Sequence, residues 1–345
     1  MAEYAHLSTP DPEFSVLWSK LQAAYPPPGT ITVASQRHAM TSIVNPKVMD
    51  NLRPRLPPES AYRVTEDQVP VDGEKIAIRC IEPVPRDEET AGFPLLVWFH
   101  GGGWISGDLD LDDFYLRILS VELRLSIVNV DYRLAPEHKF LTGLNDCYAA
   151  LKWAMNNAPK LSASVSRGFL VGGASAGGHL AAAVIHRARD DPSFDGRRPT
   201  GHILQSPSLI HPQANPEQYK TQLLSLEQNQ DAPMIGRASL NFFFECLQVD
   251  ASHPEISPLL LSHEKLPPAY IQVAGLDPLR DEALLYTQLL RECGVLTNFD
   301  VYPGVPHGFH LNFPQLAASI KWETDIRAGI RWLLKEGSSL NSTEL

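Results

Sequence analysis

Four short stretches carry residue types that could do covalent chemistry. Gly173-Ala174-Ser175-Ala176-Gly177 reads G-x-S-x-G after the apolar run Phe169-Leu170-Val171. A serine between glycines, on a tight turn from strand to helix, exposes its hydroxyl above a sheet, with a helix N-terminus behind it to favour negative charge. His100-Gly101-Gly102-Gly103-Trp104 follows the apolar run 95–99. Glycines there leave backbone N–H groups unobstructed, which is what an oxyanion hole requires. Asp277 stands in Gly-Leu-Asp-Pro-Leu-Arg-Asp and His307 in Val-Pro-His-Gly-Phe, each just past a β-type run. Serine, acid and histidine in that chain order would support nucleophilic acyl transfer, with His307 as base and Asp277 as its orienting carboxylate. Asp281 is the rival acid and His310 the rival base. His179 reads as a packing residue.

Those residues must be positioned by strands that end at one edge. The runs 64–69 and 75–81 around Asp72-Gly73 predict a hairpin. Further strands are expected at 95–99, 126–132, 168–172, 202–205, 270–274 and 298–302. Helices are expected through Phe114–Leu125, and at 144–154, 177–189, 282–293 and 315–335. Alternation of this kind implies a mostly parallel sheet with helices on both faces. Before it, Phe14, Leu17, Trp18 and Leu21 mark an amphipathic helix, which Pro26-Pro27-Pro28-Gly29 ends. The stretch 211–254 lacks a strand pattern and interrupts the alternation. The expected organisation is an N-terminal segment of short helices at 1–60, either a lid or a packed arm, and an α/β domain at 61–345 with an excursion above the sheet at about 211–254.

The motifs are similar to those of the hormone-sensitive-lipase-type α/β-hydrolases, the fold-3 carboxylesterases. The resemblance rests on His100–Trp104, the run Asp-Tyr-Arg-Leu-Ala-Pro-Glu at 131–137, Gly173–Gly178, the run 277–282 and His307-Gly308-Phe309. It spans roughly residues 62–334. Some features resemble fungal esterases of secondary metabolism such as versiconal hemiacetal acetate esterase. Leu141 stands where many members have proline, and Ala174 replaces an aspartate that one subgroup carries beside the nucleophile. The resemblance implies an α/β-hydrolase fold with an eight-stranded sheet and a helical cap. It implies a catalytic triad of Ser175, Asp277 and His307, and oxyanion donors among Gly101, Gly102, Gly103 and Ala176. Arg133 and Glu137 are expected to tie a turn beneath the site. Trp104, Phe243 and Phe244 are expected to line a hydrophobic substrate pocket.

The chain of 345 residues can bury a large core, and its net charge of -11 disfavours nucleic acid and anionic membranes. The four cysteines, at 80, 147, 246 and 293, have no metal-clip or redox spacing and read as buried thiols of a reducing compartment. Neither a signal-peptide core nor a membrane-length apolar run is visible, and the final Ser-Thr-Glu-Leu is not a peroxisomal address, so a cytoplasmic protein is expected. The expected reaction is hydrolysis of short to medium, largely uncharged esters, without cofactor or metal. The expected partner is the small-molecule ester itself, with no stable membrane association and a homodimer left open. A small-molecule receptor on the same scaffold, as in gibberellin receptors, and an amide or lactone hydrolase are the alternatives.

Overall fold

The computed structural model describes residues 3–22 and 31–341. The proline-glycine stop at 26–29 and the last four residues lie outside them. Eight strands form one sheet: β1 (Tyr62–Val71), β2 (Glu74–Pro83), β3 (Leu95–Phe99), β4 (Ser126–Val130), β5 (Phe169–Ala174), β6 (Gly201–Gln205), β7 (Ala269–Leu276) and β8 (Thr297–Pro306). Their spatial order is β1-β2-β4-β3-β5-β6-β7-β8, with β1, β2 and β4 pairing antiparallel and the others parallel. The β1–β2 turn places Asp72 at φ 50° and Gly73 at φ 81°, the left-handed pair that a two-residue hairpin favours.

The helices are α1 (Pro12–Leu21), α2 (Val33–Ala39), α3 (Asn45–Leu52), α4 (Asp113–Leu123), α5 (Thr142–Asn157), α6 (Ala176–Asp190), α7 (Ser225–Gln228), α8 (Arg237–Leu247), α9 (Arg280–Glu292), α10 (Phe309–Asn312) and α11 (Ala317–Asn341). Strand β3 shows why its sequence is apolar throughout. Leu95, Val97 and Phe99 join one core with Leu144, Leu180 and Leu285, while Leu96 and Trp98 join the core on the other face with Leu116, Ile326 and Ile330. A strand covered by helices on both sides has no polar face.

The interruption at 211–254 contains α7, α8 and short 3-10 turns, and no strand among the described residues. Residues 40–44 form a π-helical turn between α2 and α3. The reading of the cysteines needs correction. Cys80 and Cys147 are buried, but Cys246 is partly exposed and Cys293 is exposed at the end of α9.

Candidate active site

Five parallel strands deliver the site. β3, β5, β6, β7 and β8 end at Phe99, Ala174, Gln205, Leu276 and Pro306, and the next residues are His100, Ser175, Ser206, Asp277 and His307. Parallel strands all leave at the same edge, so residues far apart in sequence meet there.

Ser175 has φ 55° and ψ -116°, a strained conformation for a residue with a Cβ. Its surroundings enforce it. A Cβ at Gly173 would collide with the backbone of Gly177, and one at Gly177 with the carbonyl of Phe99. Ser175 N–H donates to Gln205 O (2.8 Å), and its own carbonyl accepts from His179 N–H (3.0 Å). Its hydroxyl lies 2.9 Å from His307 Nε2. His307 Nδ1 lies 2.7 Å from Asp277 Oδ2, and Asp277 Oδ1 accepts from Leu279 N–H (2.9 Å). A carboxylate only accepts, so Nδ1 carries the proton and the Nε2 lone pair faces the serine. Asp277 is 1% and His307 6% exposed.

The glycine loop lies beside Ser175. Gly102 (φ 121°) and Gly103 (φ 62°) occupy conformations that side chains rarely adopt, and Gly102 O accepts from both N–H (3.0 Å) and Oγ (2.8 Å) of Ser106. The N–H groups of Gly101, Gly102, Gly103 and Ala176 donate to no protein acceptor among the described residues. His100 is fully buried; its Nδ1–H donates to Gly101 O (2.7 Å) and its ring stacks on Tyr132 at 4.3 Å. Burial lowers its pKa to about 4, so this imidazole stays neutral and braces the loop.

Both rivals are engaged elsewhere. Asp281 pairs with Arg280 and accepts from the N–H groups of Leu224 and Ser225. His310 stacks on Trp322 at 4.6 Å, and burial lowers its pKa to about 3. His179 accepts from Trp104 Nε1–H (3.1 Å) and donates to Glu255 O (2.9 Å), a packing role.

A cavity of about 220 Å³ opens at Ser175 and His307. Phe243 lines it, but Trp104 and Phe244 do not. Trp104 has a left-handed backbone (φ 61°) that turns its indole onto His179 of α6. Phe244 sits one helical step round from Phe243, against Trp104 and His211. Arg133 and Glu137 also do not tie one turn together. Arg133 pairs with Asp146 (2.6 Å), while Glu137 pairs with Arg37 (2.6 Å), which also donates to Ile105 O and Ala135 O. The wall that sequence reading missed comes largely from the N-terminal segment: Met40, Val44, Val48 and Leu52, with Leu311 packed beside them. Val44, Val48 and Leu52 recur every four residues, a helical stripe that could have marked them.

No cluster of three or more histidine, cysteine, aspartate or glutamate side chains among the described residues is arranged to hold a metal ion. No described helix is long and apolar enough to cross a membrane.

Comparison with known proteins agrees with this geometry. The family described as the alpha/beta hydrolase fold matches residues 96–311. An AB hydrolase superfamily protein of Schizosaccharomyces pombe is 36% identical over 94% of both chains. Versiconal hemiacetal acetate esterase of Dothistroma septosporum is 35% identical over 83% of this chain and 85% of its own. Among solved structures, vibralactone cyclase superposes with a TM-score of 0.92 at 40% identity, covering 96% of this chain and 97% of that one. The chain therefore belongs to the alpha/beta hydrolase fold family, as a member of its carboxylesterase type.

Proposed function

We propose that the protein hydrolyses short to medium, largely uncharged carboxylic esters through a Ser175–His307–Asp277 triad. One observation carries the reading: the unbroken relay from Ser175 Oγ through both nitrogens of His307 to Asp277 (2.9 and 2.7 Å). Ser175 attacks the ester carbonyl while His307 Nε2 takes its proton, and Asp277 stabilises the resulting imidazolium. The oxyanion is received by the free N–H groups of the 101–103 run and of Ala176, with Gly102 and Gly103 the favoured pair. His307 then protonates the leaving alcohol, and later activates the water that cleaves the acyl-enzyme. Met40, Val44, Val48, Leu52 and Phe243 supply an apolar wall, which favours uncharged acyl groups. The likeness to versiconal hemiacetal acetate esterase supports a small acyl group and a place in secondary metabolism.

A second reading follows from the likeness to vibralactone cyclase. The same acyl-enzyme can be captured by a hydroxyl of the substrate itself instead of water, which closes a lactone. Product analysis in H₂¹⁸O separates the two, because only hydrolysis places ¹⁸O in the acid.

The test of the main reading is labelling with a fluorophosphonate, with turnover of p-nitrophenyl acetate and butyrate by the native protein and Ser175→Ala. The expected result is a label on Ser175 and turnover lost in the variant. Equal turnover in both proteins would overturn the reading, and tight ligand binding without turnover would favour a receptor.

A further inference from the structure

Asp277 begins a turn that leaves β7 and enters α9. The sheet pairing of β7 ends at Leu276, and side chains of the insertion at 211–254 hold the turn beyond it. Asn229 Nδ2 donates to Asp277 O (2.9 Å), and Ser225 Oγ donates to Pro278 O (2.7 Å). Ser225 Oγ also accepts from Asp281 N–H (3.0 Å). Asp281 Oδ2 in turn accepts from the N–H groups of Leu224 (2.8 Å) and Ser225 (2.7 Å). Arg280 Nη2 reaches Gln228 Oε1 at 2.6 Å. Ser225 and Asn229 are only 3% and 2% exposed, so bulk solvent does not compete for these contacts.

The insertion thus touches the turn at the carbonyl of Asp277 itself and beyond it, at Pro278 and at the residues that start α9. Asp277 Oδ1 is fixed by its own turn through Leu279 N–H, which leaves Oδ2 for His307. A turn that shifts moves both carboxylate oxygens together. Catalytic groups tolerate displacements of only about 0.5 Å, and loops hold them less well than strands or helices do.

We propose that Ser225 and Asn229 are positioning residues for the proposed triad: they clamp the turn that carries Asp277, so that the insertion sets the carboxylate's register to His307. The inference rests on the triad reading above. The same insertion contributes Met234, Ile235, Ser239 and Phe243 to the cavity wall. One segment therefore shapes the substrate's surroundings and holds the acid behind the histidine.

The test compares the native protein with Ser225→Ala, Asn229→Leu, the double variant and Ser225→Thr, using p-nitrophenyl butyrate from pH 5 to 8. With the clamp removed, kcat falls at least tenfold in the double variant while KM stays within twofold. The acidic limb of the kcat/KM profile moves to lower pH, because a displaced carboxylate stabilises the imidazolium less. The other charged and titratable groups around this pair are Arg280, Asp281, Glu282 and His310, and none of them is replaced in these variants. Ser225→Thr keeps the hydroxyl and restores kcat and the limb. A loss confined to KM, or a limb that does not move, would overturn the proposal. If the double variant does not fold, Ser225→Ala alone is read by the same criteria. Ser175→Ala separates the two levels. If it remains active, the triad reading fails; if it is inactive while the clamp variants match the native protein, only the positioning role fails.

Discussion

Ser175 and Asp277 each follow a buried parallel strand, yet their surroundings differ in kind. The serine turn is pinned by the sheet and by close backbone packing: Gln205 O takes its N–H, and Gly173 and Gly177 leave no room for a side chain. The aspartate turn is pinned by polar side chains from an insertion 48 to 56 residues earlier in the chain. Sterically closed turns have one solution, whereas hydrogen-bonded turns keep theirs only while each partner is present. The difference divides the site into a part built by the fold and a part held by what is added to it.

The largest expected effect sharpens that division. Under the proposed mechanism Ser175→Ala removes the nucleophile and should lower kcat on the order of 10⁶-fold, whereas Asp277→Ala should cost about 10⁴-fold, because the histidine would still work without its orienting group. Steady-state kinetics on p-nitrophenyl butyrate measures both. Similar losses in the two variants would mean that the acid does more than orient.

Next in size is a change on the inserted side. Arg280 is 1% exposed and joins Asp281, Gly275 O, Ser8 Oγ and Gln228 Oε1. Arg280→Met leaves Asp281 as a buried carboxylate without its cation, which should cost about 3–5 kcal/mol in denaturant unfolding. A loss below about 1 kcal/mol would show that the backbone amides of Leu224 and Ser225 suffice for Asp281, and the contrast with the serine turn would weaken.

The same contrast explains what could be read from the sequence. Ser175, His307, Asp277 and the glycine run could be read as candidates because each is a local signal: turn residues directly after a β-type run. The sheet was legible from apolar runs in its central strands, β3 above all, and from the Asp72-Gly73 turn of its edge hairpin. The partners of Arg133, Glu137, Ser225 and Asn229 were not. A buried polar side chain has no periodicity, and its acceptor is a carbonyl that every residue carries. Trp104 and Phe244 were misplaced for a related reason. Apolar character says that a ring is buried, but not whether the cavity or the core buries it, and here one backbone φ and one helical step decide. Met40 and the Val44, Val48, Leu52 stripe were open to discovery, but nothing local says which cavity such a stripe faces.

The smallest effect is a difference of sign. Behind the serine, burial lowers the pKa of His179 to about 4, below its ordinary value near 6.5. Between those values the unfolded chain binds more protons than the folded one. The stability His179 contributes is complete above pH 6.5 and falls by up to about 1.4 kcal/mol per unit as pH drops toward 4. Next to the aspartate turn, Glu282 is buried against Leu209 N–H (2.6 Å), and burial raises its pKa well above the usual carboxylate range. Here the folded state binds the extra proton. Acidification from its folded pKa down to about 4.5 therefore adds stability, with the same limiting slope. Denaturant unfolding from pH 6.5 to 4.5 should show His179→Gln flattening the acid loss and Glu282→Gln steepening it, because each variant removes one of two opposing slopes. The reading concerns slopes and not absolute stabilities, so it survives any constant cost of either substitution. Two variants that shift the slope in the same direction would show that the serine side and the aspartate side respond to protons as one unit, and the division drawn between them would not hold for their electrostatics.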